Sequence, residues 1–449
     1  MVNKNKRSSF SIGFISLGCD KNRVDLEKMI GLIKYAGYKI ESNENLADVI
    51  IINTCSFIKI AREESIQNIL VSAKLKEKYL KKLIITGCLT NMGYSDLEQS
   101  LPEVDKFVPL KDNEKIVEIL DNILGINKDE CINVKMPLYS RITSTPKHYA
   151  YLKISEGCDN FCSYCKIPYI RGRYRSYNLK NLIFEANNLS ENGVKELILV
   201  GQDVTKYGAD FKDGTTLVTL IKELSKIEKI NKIRLLYCYP ELITSDLIDE
   251  IKNNNKVCKY IDIPLQHVSN NILKLMNRKS RKEAIEDLFK NLFTKIPDIA
   301  IRTTFIIGFP GETEQDFAEL CDFVKNNKLK NVGFFKYSRE EGTPAYSFKN
   351  QVLEQTKNKR LKAISKIQYF NVLEQNKSLV NKTLNNVIID RFEGNFAIGR
   401  AEFQCPDVDG IIKIKRTPKI EIGKYYNVLI TKSSEYDLEG EILWKTYQI

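Results

Sequence analysis

The chain has 449 residues, with 69 Lys and Arg against 57 Asp and Glu and a formal net charge of +12. Apolar residues make up 43% and charged residues 28%, which excludes wholesale disorder and is typical of a folded chain of about three domains. The basic balance permits a nucleic-acid or ribosomal partner without requiring one. The apolar run at residues 10–17 is too short for a secretory signal, and no stretch approaches a membrane span. We therefore expect a cytoplasmic protein without a membrane partner.

The chain contains eleven cysteines and only two histidines, His148 and His267. Eleven is an odd number and too sparse for a disulfide scaffold in a chain of this length. Grouped cysteines in a reducing compartment more often indicate a metal or catalytic site. With two histidines, Ser-His-Asp catalysis and His-rich zinc sites are poor candidates, and we interpret His267 as structural.

The first 135 residues alternate apolar runs with amphipathic stretches. Three of these runs predict buried parallel strands, at residues 14–17, 49–52 and 83–85. The stretch after the first run places Leu26, Ile30 and Ile33 on one helical face. Alternation of strand and helix predicts an α/β fold, with an open α/β sheet domain over residues 1–135.

Beyond a connector at about residues 133–147, which carries Pro137 and Pro146, the alternation resumes. Six apolar runs predict strands, at residues 149–154, 196–200, 232–237, 260–263, 299–307 and 332–337. Six β/α units predict an incomplete (β/α)6 barrel of the TIM type over residues 148–370, with chemistry at the carboxyl ends of its strands. A helix at residues 351–378 and then short β-type runs predict a small antiparallel β-barrel over residues 376–449.

The strongest local signal is the sequence Cys-x-x-x-Cys-x-x-Cys, formed by Cys158, Cys162 and Cys165. Three thiolates in one loop can each ligate one iron of a four-iron cluster and leave the fourth iron open to a small molecule. A structural cluster or zinc site would be expected to supply a fourth ligand nearby, and neither Cys nor His follows within about fifty residues. Chance clustering is the alternative.

This loop follows the first predicted barrel strand and carries an aromatic residue, Tyr164, before its last cysteine. It resembles the signature of radical S-adenosylmethionine (SAM) enzymes. The resemblance implies that SAM chelates the open iron of a 4Fe-4S cluster and is cleaved to a 5′-deoxyadenosyl radical. It further implies SAM contacts, from Tyr164, from Gln202 and Asp203 after the second barrel strand, and from Arg302 and Gly308 on and after the fifth. For Gln202 and Asp203 an ordinary strand-to-helix turn is the alternative.

A second group of cysteines is dispersed along the chain, at Cys19, Cys55 and Cys88. Each follows a predicted strand of the N-terminal sheet directly. The carboxyl ends of parallel strands meet at one sheet edge, where ligands bind, so the three thiols can converge. Taken singly, each is more simply read as a small buried residue.

The sequences Ser-Leu-Gly-Cys at residues 16–19, Asn-Thr-Cys at 53–55 and Thr-Gly-Cys at 86–88 resemble the N-terminal domain of methylthiotransferases. The resemblance implies that Cys19, Cys55 and Cys88 hold an auxiliary 4Fe-4S cluster that handles the inserted sulfur. It also implies a TRAM-like C-terminal barrel and radical chemistry without a side-chain acid or base. Electron donor and sulfur donor are left unidentified.

The other five cysteines are isolated, and we interpret them as packing or surface residues: Cys131, Cys238, Cys258, Cys321 and Cys405. The loop that carries Cys158, Cys162 and Cys165 is called the cluster loop below. A basic run follows it and contains Arg171, Arg173 and Arg175. These arginines could neutralise an anionic cofactor or bind a carboxylate substrate, and a solvated face is the alternative. The family pattern continues Arg-Ser-Arg, whereas this chain has Tyr177 at the last position.

Two branches of the resembled family differ in substrate, one modifying an aspartate of a small-subunit ribosomal protein and the other an adenosine of tRNA. Residues 376–449 carry 11 Lys and Arg against 10 Asp and Glu, a net charge of +1, which argues against a phosphate-tracking domain. The sequence Ser-Leu-Gly-Cys-Asp-Lys-Asn at residues 16–22 also resembles the ribosomal-protein branch. We therefore favour that branch, with the tRNA enzyme and a non-catalytic iron–sulfur carrier as alternatives.

Overall fold

The computed structural model describes residues 6–91, 94–127 and 141–444. Contacts between Cα atoms divide the chain into two compact units. The first consists of residues 1–144, 156–159 and 165–175, and the second of residues 145–155, 160–164 and 176–449. The second unit thus contains both predicted C-terminal domains, and the first takes two segments from the central one. The predicted boundaries 1–135, 148–370 and 376–449 stay predictions.

The first unit is built on a five-stranded parallel sheet in the order β2-β1-β3-β4-β5. Its strands are β1 (Ser11–Ser16), β2 (Lys39–Ile40), β3 (Val49–Thr54), β4 (Lys82–Gly87) and β5 (Lys106–Phe107). Its helices are α1 (Asp20–Tyr35), α2 (Lys59–Ala73), α3 (Tyr94–Ser100), α4 (Ile116–Leu124) and α5 (Ile167–Arg171). The open α/β sheet predicted for this part of the chain is confirmed.

Both faces of this sheet are covered, which explains why its central strands are continuous apolar runs. Along β3, Ile51 packs with Leu26 of α1 and Leu120 of α4 on one face. Its neighbour Ile52 points to the other face and packs with Ile69 of α2. Every residue of β3 is buried.

The central part of the second unit is a six-stranded parallel sheet in the order β13-β12-β11-β10-β9-β6. Its strands are β6 (Tyr149–Lys153), β9 (Glu196–Val200), β10 (Lys232–Leu235), β11 (Val257–Asp262), β12 (Ala300–Ile307) and β13 (Asn331–Lys336). A separate two-stranded ribbon pairs β7 (Ser155–Glu156) with β8 (Arg175–Ser176). All six predicted strands form, and the sheet is not closed, so the incomplete barrel is confirmed.

Helices connect successive strands of this sheet and bury one large apolar core against it. They are α6 (Leu179–Glu191), α7 (Leu217–Ser225), α8 (Ser245–Asn253), α9 (Asn270–Leu275), α10 (Lys282–Lys295) and α11 (Glu314–Asn327). Helix α12 (Glu354–Lys377) then leads to the C-terminal strands. Among the described residues, no helix is both long enough and apolar enough to cross a membrane.

The C-terminal strands close into a five-stranded barrel in the order β14-β15-β16-β18-β17. They are β14 (Thr383–Glu393), β15 (Phe396–Arg400), β16 (Ile412–Lys415), β17 (Tyr425–Ser433) and β18 (Leu438–Ile442). The predicted small barrel is confirmed with one correction. Strand β18 lies between β16 and β17, where it is parallel to β16 and antiparallel to its chain neighbour β17, so the pair β16–β18 departs from the predicted all-antiparallel pattern.

A buried layer of charged side chains joins this barrel to the beginnings of the central strands. Glu196, the first residue of β9, bonds Nε of Arg234 at 2.8 Å and Nη2 of Arg400 at 2.5 Å. Arg400 also bonds Asp390 at 2.9 Å, and His148 bonds the same carboxylate at 2.7 Å. The C-terminal barrel therefore contacts the amino ends of the central strands and leaves their carboxyl ends to the predicted chemistry.

Candidate functional site

The three dispersed cysteines lie at the carboxyl ends of three strands of the N-terminal sheet. Cys19 precedes α1 after β1, Cys55 follows β3, and Cys88 follows β4. Strand β3 pairs with both β1 and β4 in parallel register, so the three strand ends are neighbours. The expected common edge is therefore confirmed, although sequence spacing alone left the three cysteines far apart.

Two glycines let the backbone turn directly before two of these cysteines. Gly18 has φ +92°, and a Cβ placed on it would lie 2.9 Å from Cβ of Cys55. Gly87 has φ +96°, and a Cβ there would lie 2.3 Å from the carbonyl oxygen of Thr54. Both positions require glycine, because a side chain would prevent the close approach of neighbouring strand ends.

Asn22 and Ser65 hold the loops that carry these thiols. The side-chain nitrogen of Asn22 donates to the carbonyl oxygens of Leu17 and Thr54, at 3.1 and 2.9 Å, and so ties two strand ends together. The hydroxyl of Ser65 donates to the carbonyl of Cys55 at 2.8 Å and accepts from its N–H at 3.0 Å. Neither residue was predicted from the sequence to have a role at this site. The only sequence signal for either residue was the position of Asn22, three residues after the first cysteine. In the structure Asn22 is wholly buried.

The electrostatic environment of the three thiols is uneven. Cys19 is exposed, whereas Cys55 and Cys88 are buried. Burial raises the pKa of the Cys55 thiol, and it raises the pKa of the Cys88 thiol to about 11 despite the opposing effect of the Arg171 guanidinium. Within the described ranges, no three Cys, His, Asp or Glu side chains are already assembled around a point that could hold a metal ion.

Two of the three cysteines in the cluster loop belong to the first unit. The backbone N–H of Cys158 donates to the carbonyl of Gly172 at 3.1 Å. The sulfur of Cys165 accepts from the backbone N–H of Ile167, the first residue of α5, at 3.4 Å. Cys158 is buried and Cys165 is half-buried, and neither forms a disulfide.

The remaining loop cysteine, Cys162, belongs to the second unit and has polar neighbours there. Its sulfur lies 3.1 Å from the hydroxyl of Tyr239 and 4.0 Å from Nη1 of Arg278. The Arg278 guanidinium stacks on the Tyr239 ring, 4.1 Å from its centroid. Neither residue was predicted, because Tyr239 lies on the connection after β10 and Arg278 on the connection between α9 and α10, both far along the chain from the loop.

Of the five residues predicted to contact SAM, three follow the carboxyl ends of strands in the second unit. A fourth, Tyr164, packs beside a residue that follows such an end. Tyr164 packs on Phe309 with ring centroids 6.4 Å apart, and Gly308 follows the last residue of β12. Gln202 is half-buried and Asp203 fully buried after β9. Asp203 accepts from the side chain of Asn160 at 3.3 Å, and burial raises its pKa.

Arg302, the fifth predicted contact, is placed differently. It is the third residue of β12, and its Nη1 donates to Asp409 of the C-terminal barrel at 2.6 Å. Its Nε lies 3.7 Å from Asp262. Arg302 thus pairs with carboxylates of the C-terminal barrel and of β11, and its contact with SAM stays a prediction.

The remaining cysteines and the basic run also have definite places. Cys238, Cys258 and Cys405 are buried and Cys321 is half-buried, while Cys131 lies outside the described residues. In the basic run, Arg173 has a side chain 76% exposed, whereas the Arg171 side chain has no exposed surface. The alternative of a solvated face is therefore wrong for Arg171.

The donor chemistry of both cysteine groups fits an iron–sulfur cluster. None of the six thiols forms a disulfide, and nearby buried polar atoms have no hydrogen-bond partner among the described residues: Oγ of Ser56, Nε of Arg171 and Nε of Arg278. Unpaired buried donors are costly, so they suit a site where a bound group supplies acceptors.

Comparison with known protein families matches the three sheets separately. Residues 152–324 match the radical SAM superfamily, residues 11–109 the uncharacterized protein family UPF0004, and residues 383–443 the TRAM domain. The superfamily match supports SAM and an iron–sulfur cluster as cofactors.

Two proteins are similar to this chain over nearly its whole length, and one solved structure shares its fold over about three quarters of it. The chain is 47% identical over 437 residues to ribosomal protein uS12 methylthiotransferase RimO of Clostridium kluyveri, covering 96% of this chain and 98% of that protein. It is 45% identical over 442 residues to the protein of the same name from Thermoanaerobacter sp. strain X514, covering 96% and 99%. The radical SAM methyltransferase TsrM of Kitasatospora setae, at 14% identity and a TM-score of 0.56 over 75% of this chain and 76% of that one, shares the fold. The chain therefore belongs to the RimO family of radical SAM methylthiotransferases.

Proposed function

We propose that this enzyme replaces a hydrogen on the β-carbon of an aspartate in ribosomal protein uS12 with a methylthio group. Similar proteins along the full length of the chain carry the name of uS12 methylthiotransferase. The nearly neutral charge of residues 376–449 supports a protein substrate over a polyanionic one. A ribosomal substrate implies a cytoplasmic enzyme.

One observation carries the proposal. A chain with a Cys-x-x-x-Cys-x-x-Cys loop also has three free thiols, Cys19, Cys55 and Cys88, at neighbouring carboxyl ends of one parallel sheet. An electron carrier or a simple radical SAM enzyme has no need of this second group. A sulfur-inserting enzyme needs a second place where sulfur is held.

Two 4Fe-4S clusters are proposed, one held by the loop cysteines and the auxiliary one by the dispersed cysteines. When bound, the loop cluster and SAM supply a radical that removes hydrogen from an unactivated carbon, which no side-chain base does at neutral pH. Tyr164, Gln202, Asp203 and Gly308 are the proposed SAM contacts. Arg302, whose guanidinium also binds Asp409, is the fifth proposed contact.

The chain's own residues hold these groups and exclude water. Tyr239 and Arg278 fix the orientation of the Cys162 thiol, which is 6% exposed. Glu312 accepts from the backbone N–H of Gly308 at 2.7 Å and is itself held by Arg360 at 2.8 Å, so the turn after β12 keeps its shape. No side chain is assigned the role of a general acid or base.

Anaerobic reconstitution with iron, sulfide, SAM and a reductant tests the proposal, with recombinant uS12 and unmodified tRNA offered in separate reactions. We expect the mass of uS12 to rise by one methylthio group in place of one hydrogen, at an aspartate. Methylthiolated adenosine in the tRNA reaction, with unchanged uS12, would establish the tRNA alternative. SAM left intact in both reactions would overturn the radical assignment.

Cysteine variants separate the two proposed clusters. We expect Cys158→Ala to abolish reductive SAM cleavage and product formation alike. Cys55→Ala should leave SAM cleavage measurable and abolish methylthiolation. Cys321→Ala, which removes a half-buried thiol outside both groups, is the matched control and should retain both activities. Normal product from Cys55→Ala would show that the auxiliary cluster is not required.

A further inference from the structure

Within the first unit, Arg171 contacts both Cys88 of the dispersed group and Glu156, which lies just before the cluster loop. It is the last residue of α5, shortly after Cys165, and its side chain has no exposed surface. Its Nη2 donates to the sulfur of Cys88 at 3.7 Å and to Oδ1 of Asn22. Its Nη1 bonds Glu156, two positions before Cys158, at 3.0 Å.

Full burial of a guanidinium carries a desolvation penalty of several kcal/mol unless charged and polar partners surround it. The partners here are divided between its two terminal nitrogens. Nη1 binds the carboxylates of Glu156 and Asp25, the latter at 3.2 Å, whereas Nη2 binds an amide oxygen and the thiol of Cys88. The carboxylates alone would satisfy an ordinary ion pair. An ordinary ion pair therefore does not explain why Nη2 contacts Asn22 and Cys88.

We propose that Arg171 is a positioning residue for the auxiliary cluster. Its guanidinium donates a hydrogen bond to the Cys88 sulfur and thereby raises the reduction potential of the cluster. The inference rests on the auxiliary cluster of the proposed function. Hydrogen bonds to ligating sulfur and nearby positive charge tune iron–sulfur potentials. One-electron reduction adds a negative charge to the cluster, so a fixed cation beside a ligand favours the reduced form.

The contact with Glu156 gives this arrangement a second consequence. Because the same guanidinium holds Glu156 and Cys88, it fixes the segment before the cluster loop against the auxiliary group. The side-chain amide of Asn91 strengthens this attachment by donating to the carbonyl of Ile170 in α5 at 2.7 Å. Two observations therefore tie α5 to the sheet edge that carries the dispersed cysteines.

The test uses the full-length chain with Cys158, Cys162 and Cys165 all replaced by Ala, so that only the auxiliary group can bind iron. After anaerobic reconstitution with iron and sulfide, iron per chain is measured, and the cluster is titrated with dithionite and followed by electron paramagnetic resonance. We expect Arg171→Gln in this background to move the midpoint to more negative potential. At the midpoint of the parent protein, the ratio of reduced to oxidised cluster should fall about tenfold, which is about 59 mV for one electron.

Two further variants keep the result interpretable. Arg171→Lys keeps the charge but not the planar fork, so its midpoint should fall between those of the parent and of Arg171→Gln. Arg173→Gln is the matched control, because its exposed side chain pairs with Asp159 at 3.6 Å in solvent and should leave the midpoint unchanged. Circular dichroism verifies that each variant is folded.

The outcomes distinguish failure of the inference from failure of the proposed function. Absence of a cluster in the triple-Ala parent would overturn both. A loaded parent whose midpoint is unchanged by Arg171→Gln would show that Arg171 is only a structural ion pair. If Arg171→Gln fails to fold or to load, Arg171→Lys decides, and a midpoint equal to that of the parent overturns the inference.

Discussion

At the scale of single residues, the candidate site depends on glycines that permit close contact as much as on the cysteines proposed as ligands. Gly87 lets the end of β4 approach Thr54 so closely that a Cβ would lie 2.3 Å from its carbonyl oxygen. Gly18 does the same beside Cys55. Both precede a proposed ligand, so a side chain at either position would displace a thiol as well as strain the backbone.

Gly87→Ala should therefore destabilise the first unit and prevent loading of the auxiliary cluster. The left-handed backbone alone costs an alanine about 1–2 kcal/mol, and the clash with backbone atoms adds about 1–3 kcal/mol. Gly125→Ala is the matched control, because φ is +63° there but no atom lies within 4 Å of the added Cβ. Urea unfolding and iron analysis check the difference, and equal losses in the two variants would contradict the steric argument.

At the scale of elements, the C-terminal barrel is attached to the central sheet by charge as well as by apolar packing. Arg400 at the end of β15 reaches Glu196 at the start of β9, and both side chains are nearly fully buried. A buried ion pair carries a large desolvation penalty, and removing one partner leaves the other charge uncompensated. The amino ends of the central strands therefore bind the barrel.

Arg400→Met should lower the free energy of unfolding of the second unit by about 3–5 kcal/mol, because Glu196 and Asp390 would lose a shared cation. Arg391→Met, on β14, removes an arginine whose partner Glu393 is 51% exposed. That control should change stability by less than about 1 kcal/mol. Denaturant unfolding of the two variants side by side is the measurement, and similar losses would argue against an energetic role for the buried layer.

At the scale of the whole molecule, this charged layer predicts how the protein responds to acid. Although burial opposes ionisation of Glu196, Arg400 and Arg234 hold its pKa at about 2, against an ordinary value of 4.5. Between these two values the unfolded chain binds a proton that the folded chain does not. The stabilisation is therefore complete above about pH 4.5 and is lost as the pH falls towards 2.

Comparing the wild type with Glu196→Gln across this range isolates the effect. The wild type should lose more stability than the variant as the pH falls from about 4.5 to 2, because the variant has no proton to take up at this position. Thermal unfolding at several pH values gives the two slopes. Parallel slopes would mean that the two arginines do not depress the pKa of Glu196.

Local sequence was sufficient for most of the elements. The apolar runs that predicted β3 and β4 are buried strands, because a sheet covered on both faces leaves an unbroken apolar pattern. Strand β1 also forms, but the predicted burial of its run is wrong, since Phe14 and Ile15 are only half-buried and Ser16 is exposed. The two-residue strands β2 and β5 were missed because so short a segment has no periodicity. The parallel pairing of β16 with β18 was missed because pairing is decided by closure of the barrel.

By itself, the sequence determined which family the residues resemble and predicted which thiols act together, because ligand spacing and strand ends are local patterns. Only the tertiary structure decided that Arg171 is buried against Cys88 and that Arg302 is bound to Asp409. From local patterns, Arg171 belongs to a basic run and Arg302 to a predicted strand, and neither pattern identifies a partner. Their partners come from segments distant along the chain, and packing alone determines which charges are removed from water together.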